Sequence, residues 1–122
     1  MQEIAFAPSL GNYDFYTTLG QTPVKLVVHW NAEDNDGEGA WYFDMYEVDG
    51  ATPIASGLKI TIGSFIGRAC EHAIFSRGAI LARDYSLQDL DPGFDDIGPG
   101  QRVRVFYLSA DELVLGTDLE GA

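Results

Sequence analysis

Cysteine is almost absent from this chain: Cys70 stands alone among 122 residues. One thiol excludes an internal disulfide and every zinc site built on paired cysteines. Positive charge is also scarce, with 7 Lys and Arg against 19 Asp and Glu and a formal net charge of −12. A surface this acidic repels phosphate backbones and anionic bilayers, so specific nucleic-acid binding is not expected. Histidine is limited to His29 and His72. Two histidines without a third clear ligand make a weak metal argument. Long apolar runs are missing, and no stretch approaches the ~20 residues of a membrane span. The opening residues, Met1-Gln2-Glu3-Ile4-Ala5-Phe6, lack a basic segment followed by a long apolar one. They do not read as a signal peptide.

What is present is aromatic residues, glycine and short alternating runs. A hydrophobic content of 46% with 21% charged residues belongs to a folded chain. The length fits one domain over residues 1–122, with an N-terminal strand or arm over about 1–10 and a frayed tail over about 116–122. Asn12 to Leu19 is rich in aromatics and threonine, as strands are. In Val24 to Trp30, the residues Val24, Leu26, Val28 and Trp30 share one face, because side chains alternate along extended backbone. Trp41 to Val48 alternates most clearly, with Trp41, Phe43 and Met45 on one side. Asp49-Gly50 follows, a dipeptide that accepts the positive φ of a tight hairpin turn. The chain is expected to return over Thr52 to Ser56, with Gly57 separating a further strand, Leu58 to Ile62. Gly63 to Arg77 reads equally as a short helix or an irregular loop. Ala79 to Arg83 and Arg102 to Leu108 complete the strands, the last with Val103, Val105 and Tyr107 on one face.

About seven short strands joined by Gly, Pro and Asp turns predict a mostly β fold. The expected architecture is a small antiparallel β-sandwich or barrel with at most a short helix.

Catalytic signals are weak. Asp34, Asp36 and Glu38 alternate as calcium-loop ligands do, but Met45 stands where the closing acid belongs. A solvated hairpin loop explains them better. Cys70 and His72 form a conceivable nucleophile pair, without the positive surroundings that stabilise a thiolate. Asp95 and Asp96 are adjacent, and adjacent side chains rarely converge on one substrate. No nucleophile elbow and no phosphate-cradling glycine loop is present. The reading is therefore non-enzymatic, with no catalytic, metal or cofactor residues assigned. A hydrolase using His72, Cys70 or Asp95 is the weakest alternative.

Three stretches taken together resemble the phage baseplate plug family of cyanophages with simple contractile tails. The first is Val28-His29-Trp30-Asn31 with Gly39-Ala40-Trp41-Tyr42-Phe43-Asp44-Met45-Tyr46. The second is Asp49-Gly50 with Thr52-Pro53-Ile54-Ala55-Ser56-Gly57, with Ala51 as an extra residue. The third is Asp91-Pro92-Gly93-Phe94-Asp95-Asp96-Ile97-Gly98, followed by Arg102 to Leu108. The span from Phe65 to Ser76 departs most from the family pattern.

The resemblance implies a structural virion component at the distal end of a contractile tail, plugging or lining the tube with the baseplate hub before genome ejection. It implies the hub and tail-tube proteins as partners, with the tape-measure protein a further candidate. It also implies a homo-oligomer around the tail axis, sited in the virion baseplate after assembly in the host cytoplasm. Ile4, Phe6, Phe65 and Ile66 are the candidate interface residues, expected on an exposed apolar edge. Asp91, Pro92, Gly93, Phe94, Asp95 and Asp96 are expected to form an ordered structural loop, with Phe94 and Ile97 inward. The alternative is a β-sandwich binding module for carbohydrate or protein, using Trp30, Trp41 and Tyr46.

Overall fold

The structure is a computed structural model that describes residues 2–7, 10–34, 37–63, 65–67, 78–88 and 90–109. Eight strands appear in this order: β1 (Gln2–Ile4), β2 (Asn12–Leu19), β3 (Thr22–Asn31), β4 (Ala40–Glu47), β5 (Pro53–Lys59), β6 (Phe65–Ile66), β7 (Gly78–Asp84) and β8 (Val103–Ser109). They form two four-stranded sheets, ordered β2-β3-β4-β5 and β1-β8-β7-β6. Every named pairing is antiparallel. The sheets do not close on one another, so the fold is a sandwich and not a barrel. No α-helix occurs among the described residues.

Alternation decides the faces. Val24, Leu26 and Val28 on β3, and Trp41, Phe43 and Met45 on β4, are fully buried. Ile80 and Ala82 on β7, and Val103, Val105 and Tyr107 on β8, meet them from the other sheet. Each of the larger aliphatic or aromatic side chains contributes about 1.5–3 kcal/mol on burial. The outer face of β2–β4 is polar and aromatic instead, carrying Asp14, Tyr16, Lys25, His29, Tyr42 and Asp44.

Three features differ from the sequence reading. The strands expected at Thr52–Ser56 and Leu58–Ile62 are largely one strand, β5, which runs through Gly57. Two register shifts against β4 absorb the extra residues, and Gly57 takes φ +65°. The Asp44 carboxylate accepts the Gly57 N–H at 2.7 Å, replacing the missing ladder bond. Beyond it, Ile60 to Ile62 crosses between the sheets, with Ile60 N–H on the Trp41 carbonyl and Ile62 bridged to Ala82.

The second difference is β6, where Phe65 and Ile66 pair with Leu81 and Ile80. The rest of the stretch read as helix or loop, Ser64 and Arg68 to Arg77, lies outside the described residues, as do Cys70, His72 and the tail.

The third difference is the N-terminal arm, which enters the core. β1 pairs with β8, Ile4 and Phe6 are buried, and the Phe6 ring meets Phe15 edge-on at 5.9 Å and Phe43 at 5.6 Å. The Tyr13 hydroxyl accepts the Ala7 N–H at 2.9 Å. Burial of that hydroxyl raises the Tyr13 pKa above its ordinary value.

Candidate functional site

Residues 84–88 and 90–102 form a cap over one end of the sandwich. Its centre is three aromatic rings. Trp30 and Trp41 face each other across β3 and β4 at 5.2 Å. Phe94 stacks on Trp41 at 5.7 Å with an interplanar angle of 6°, and meets Trp30 edge-on at 5.4 Å. Aromatic contacts of this kind contribute about 0.5–1.5 kcal/mol beyond burial. The Trp41 indole N–H donates to the Gly93 carbonyl at 3.0 Å, so a buried donor is satisfied by the loop itself. Gly39 lies behind the Trp30 ring. A Cβ there would sit 2.0 Å from Trp30 Cζ2, and the backbone adopts φ +87°.

Polar contacts fasten the rim of the cap. Asp91 Oδ1 accepts from the Ile62 N–H at 3.0 Å. Asp96 accepts from the Gly93 N–H at 3.3 Å, and its own N–H donates to the Gly93 carbonyl at 3.3 Å. Ile97 is fully buried and bridges Val103 in parallel. One cation gathers these pieces. Arg102 Nη1 donates to Asp84 Oδ2 at 2.6 Å and to the Leu90 carbonyl at 2.8 Å. Its Nη2 donates to the Asp91 carbonyl at 2.9 Å and to Asp96 Oδ2 at 3.2 Å. A planar guanidinium suits this fan of acceptors better than an ammonium would.

The Asp84 side chain is 1% exposed. Burial pushes its carboxyl up, but donors outweigh that effect. The Ser86 hydroxyl, the Leu90 and Ser86 N–H groups and the Arg102 guanidinium together hold it at about 2. Asp84 thus stays charged and fixed, which suits an anchor and not a proton carrier. Asp84 and Arg102 were not singled out in the sequence. The available signal was scarcity, since Arg102 is one of few cations in so acidic a chain and follows closely on Asp91, Asp95 and Asp96.

The remaining candidates lie apart. Asp49 and Gly50 sit in a turn spanning Val48–Thr52, longer than a two-residue hairpin. Glu47 N–H donates to the Thr52 carbonyl and Gly50 N–H to the Glu47 carbonyl, each at 2.8 Å. Asp49 Oδ1 accepts from the Ala51 and Thr52 N–H groups, and Asp49 Oδ2 from the Thr52 hydroxyl. These bonds, led by the Thr52 hydroxyl, lower the Asp49 pKa.

Asp34 receives the Tyr42 hydroxyl and lies 3.3 Å from Lys59 Nζ. That hydrogen bond is the main cause of a raised Tyr42 pKa. His29 stacks flat on Tyr42 at 5.8 Å. No group of three or more metal-ligating side chains occurs among the described residues, and Asn35 and Asp36 lie outside them.

The expected apolar edge is corrected in part. Ile4 and Phe6 are 0% and 1% exposed and Ile66 is 5% exposed, because each faces the shared core; Phe65 is half-buried. The aromatic platform of the binding-module alternative is corrected too. Trp41 is fully buried and offers no ring to a sugar, whereas Trp30 and Tyr46 are half-buried, Trp30 packed against the core.

A family model for the cyanophage baseplate Pam3 plug gp18 matches residues 1–111. The chain belongs to this plug family. The match covers both sheets, the cap and the Val48–Thr52 turn. Membership is consistent with a structural component of the phage tail baseplate and with association with other baseplate proteins, and it suggests a non-enzymatic role. Among curated proteins, none matches the chain. No helix among the described residues is long and apolar enough to cross a membrane.

Proposed function

We propose that this plug-family chain sits at the distal end of a contractile tail and closes or lines the tube with the baseplate hub until the genome leaves. The observation that carries the reading is the family match over residues 1–111. The charge supports it. Of the described cations, Lys25, Lys59, Arg102 and Arg104 each lie within ion-pair distance of a carboxylate, so among the described residues little positive charge remains to hold DNA. A net −12 chain at the mouth of a tube repels a passing phosphate backbone. The cap contributes rigidity, since its aspartates serve the fold and not a reaction.

The experiment has two arms. Gold-labelled antibody against the chain should mark the tip of purified tails. Particles made without the chain should lose DNA early or fail to complete a baseplate. Label along the sheath or at the head, or intact infectious particles without the chain, would sink the proposal.

A further inference from the structure

Each sheet has two edges, and three of the four are blunted. β1 and β6 are three and two residues long. β5 carries Pro53, two register shifts and the Gly57 kink, and Asp44 already occupies the Gly57 N–H. Short length, proline and bulges are devices that keep an edge from recruiting a foreign strand. β2 has none of them. It runs eight residues without proline, glycine, lysine or bulge, in unbroken register with β3. Its aromatics and threonines favour extended backbone.

The ladder identifies the open groups. Trp30 N–H donates to the Gly11 carbonyl at 2.8 Å, which makes Gly11 and Trp30 a hydrogen-bonded pair. Such pairs alternate along an antiparallel ladder. Tyr13, Phe15, Thr17 and Leu19 therefore turn their backbone groups to β3. Asn12, Asp14, Tyr16 and Thr18 turn theirs outward, and all four residues are exposed. Gln2 closes the far end: its amide nitrogen donates to the Thr18 carbonyl, and its amide oxygen accepts from Gly20 N–H at 3.1 Å. Asn12, Asp14 and Tyr16 remain, among the described residues, as a template of N–H and C=O groups.

We infer that this template accepts an extended segment of another baseplate protein as an added strand, and that the segment carries lysine or arginine beside Asp14. The inference rests on the baseplate reading for its source of partner. Charge selects the chemistry. The Asp14 side chain is 59% exposed, and although Lys25 Nζ lies 3.5 Å from it, one solvated ion pair leaves this carboxylate open to a second cation on a strongly acidic chain. A second copy is the wrong occupant, because full antiparallel overlap of the two templates sets Asp14 opposite Asp14. Like charges directly opposite destabilise a pair.

The test is amide exchange, residue by residue, on the free chain and on the chain in purified tails. The amides of Asn12, Asp14 and Tyr16 should exchange at least ~10-fold more slowly in tails, while those of Tyr13 and Phe15 are slow in both states. Tyr16→Pro removes an outward N–H and leaves the hydrogen bonds to β3 in place, though it also removes the ring beneath Lys25. It should stay folded with a slightly lower melting temperature and be lost from tails, and Tyr16→Ala, which loses the ring but keeps the N–H, should be retained. Asp14→Lys, which keeps every backbone group, should be depleted likewise. Equal exchange in both states, or normal retention of both Tyr16→Pro and Asp14→Lys, overturns the inference.

If the wild-type chain is itself absent from tails, the baseplate reading has failed. The edge is then judged on the free chain with two synthetic valine–threonine octapeptides, one bearing lysine at alternate positions and one glutamate. Protection of residues 12, 14 and 16 by the lysine peptide, with the preference reversed in Asp14→Lys, upholds strand addition. Protection by neither peptide overturns it, as does protection that grows with the concentration of the chain alone.

Discussion

β4 ends in an acidic turn, and Trp41 near its start meets an acidic loop. At one end, the Val48–Thr52 turn is held by Asp49, whose partners Ala51 and Thr52 lie two and three positions away. At the other, the Asp91–Gly98 loop is held by Trp41, 52 positions from Gly93, and by Arg102 and Ile62. Both use aspartate and glycine. The first organises only its own backbone. The second links both sheets, so its loss is felt in the core. Residue type alone does not separate a local turn from a clasp; the distance to the partner does.

Trp41→Ala should do the most damage. It removes a fully buried indole, the stack under Phe94 and the donor to Gly93. A loss of about 3–5 kcal/mol is expected in denaturant unfolding. An effect no larger than that of a surface substitution would break the comparison. Gly39→Ala should follow at about 2 kcal/mol, since the new methyl displaces the Trp30 ring and the residue must hold a positive φ. Its near-ultraviolet circular dichroism should change with it, as the two tryptophans lose their fixed geometry.

Acid sharpens the contrast next. The Asp84 carboxyl sits at about 2 in the fold against an ordinary 3.8. A folded value below the unfolded one stabilises the fold fully above 3.8, and that stability fades as the pH falls towards 2. Asp84→Asn should flatten this part of the pH–stability curve, and an unchanged curve would remove Asp84 as the anchor. The smallest effect is expected at the local turn. Gly50→Ala places a side chain at φ +75° and should cost about 1 kcal/mol, without altering the tryptophan signal.

Strands β3 and β4 were legible because each alternates along most of its length, β8 because an alternating Arg-Val-Arg-Val run leads into it, and β2 and β7 because aromatic, threonine or aliphatic runs stand between turn residues. β1 was not legible as core. Three residues carry no period, and the partner β8 lies at the far end of the chain. Gly57 misled for a physical reason: glycine usually interrupts a strand, but here the Asp44 carboxylate supplies the lost bond. In the cap, Pro92 and Gly93 marked a turn. Nothing in those residues pointed to Trp41, and nothing in Arg102 named its four acceptors. Such pairings are set by how the two sheets stack, and a linear pattern does not encode that.

Glu3 and Arg104 are joined through both carboxylate oxygens, 101 positions apart. On the ribosome this separation becomes an order of events. β2 to β5 are consecutive hairpins and can close while the chain is still being made. β1 leaves the ribosome before the strand it pairs with, so its ladder can form only once β8 has emerged. Until then β1 lacks its ladder, and the apolar Ile4 and Phe6 have only the β2–β5 sheet to lean on, a state open to contact with neighbouring chains.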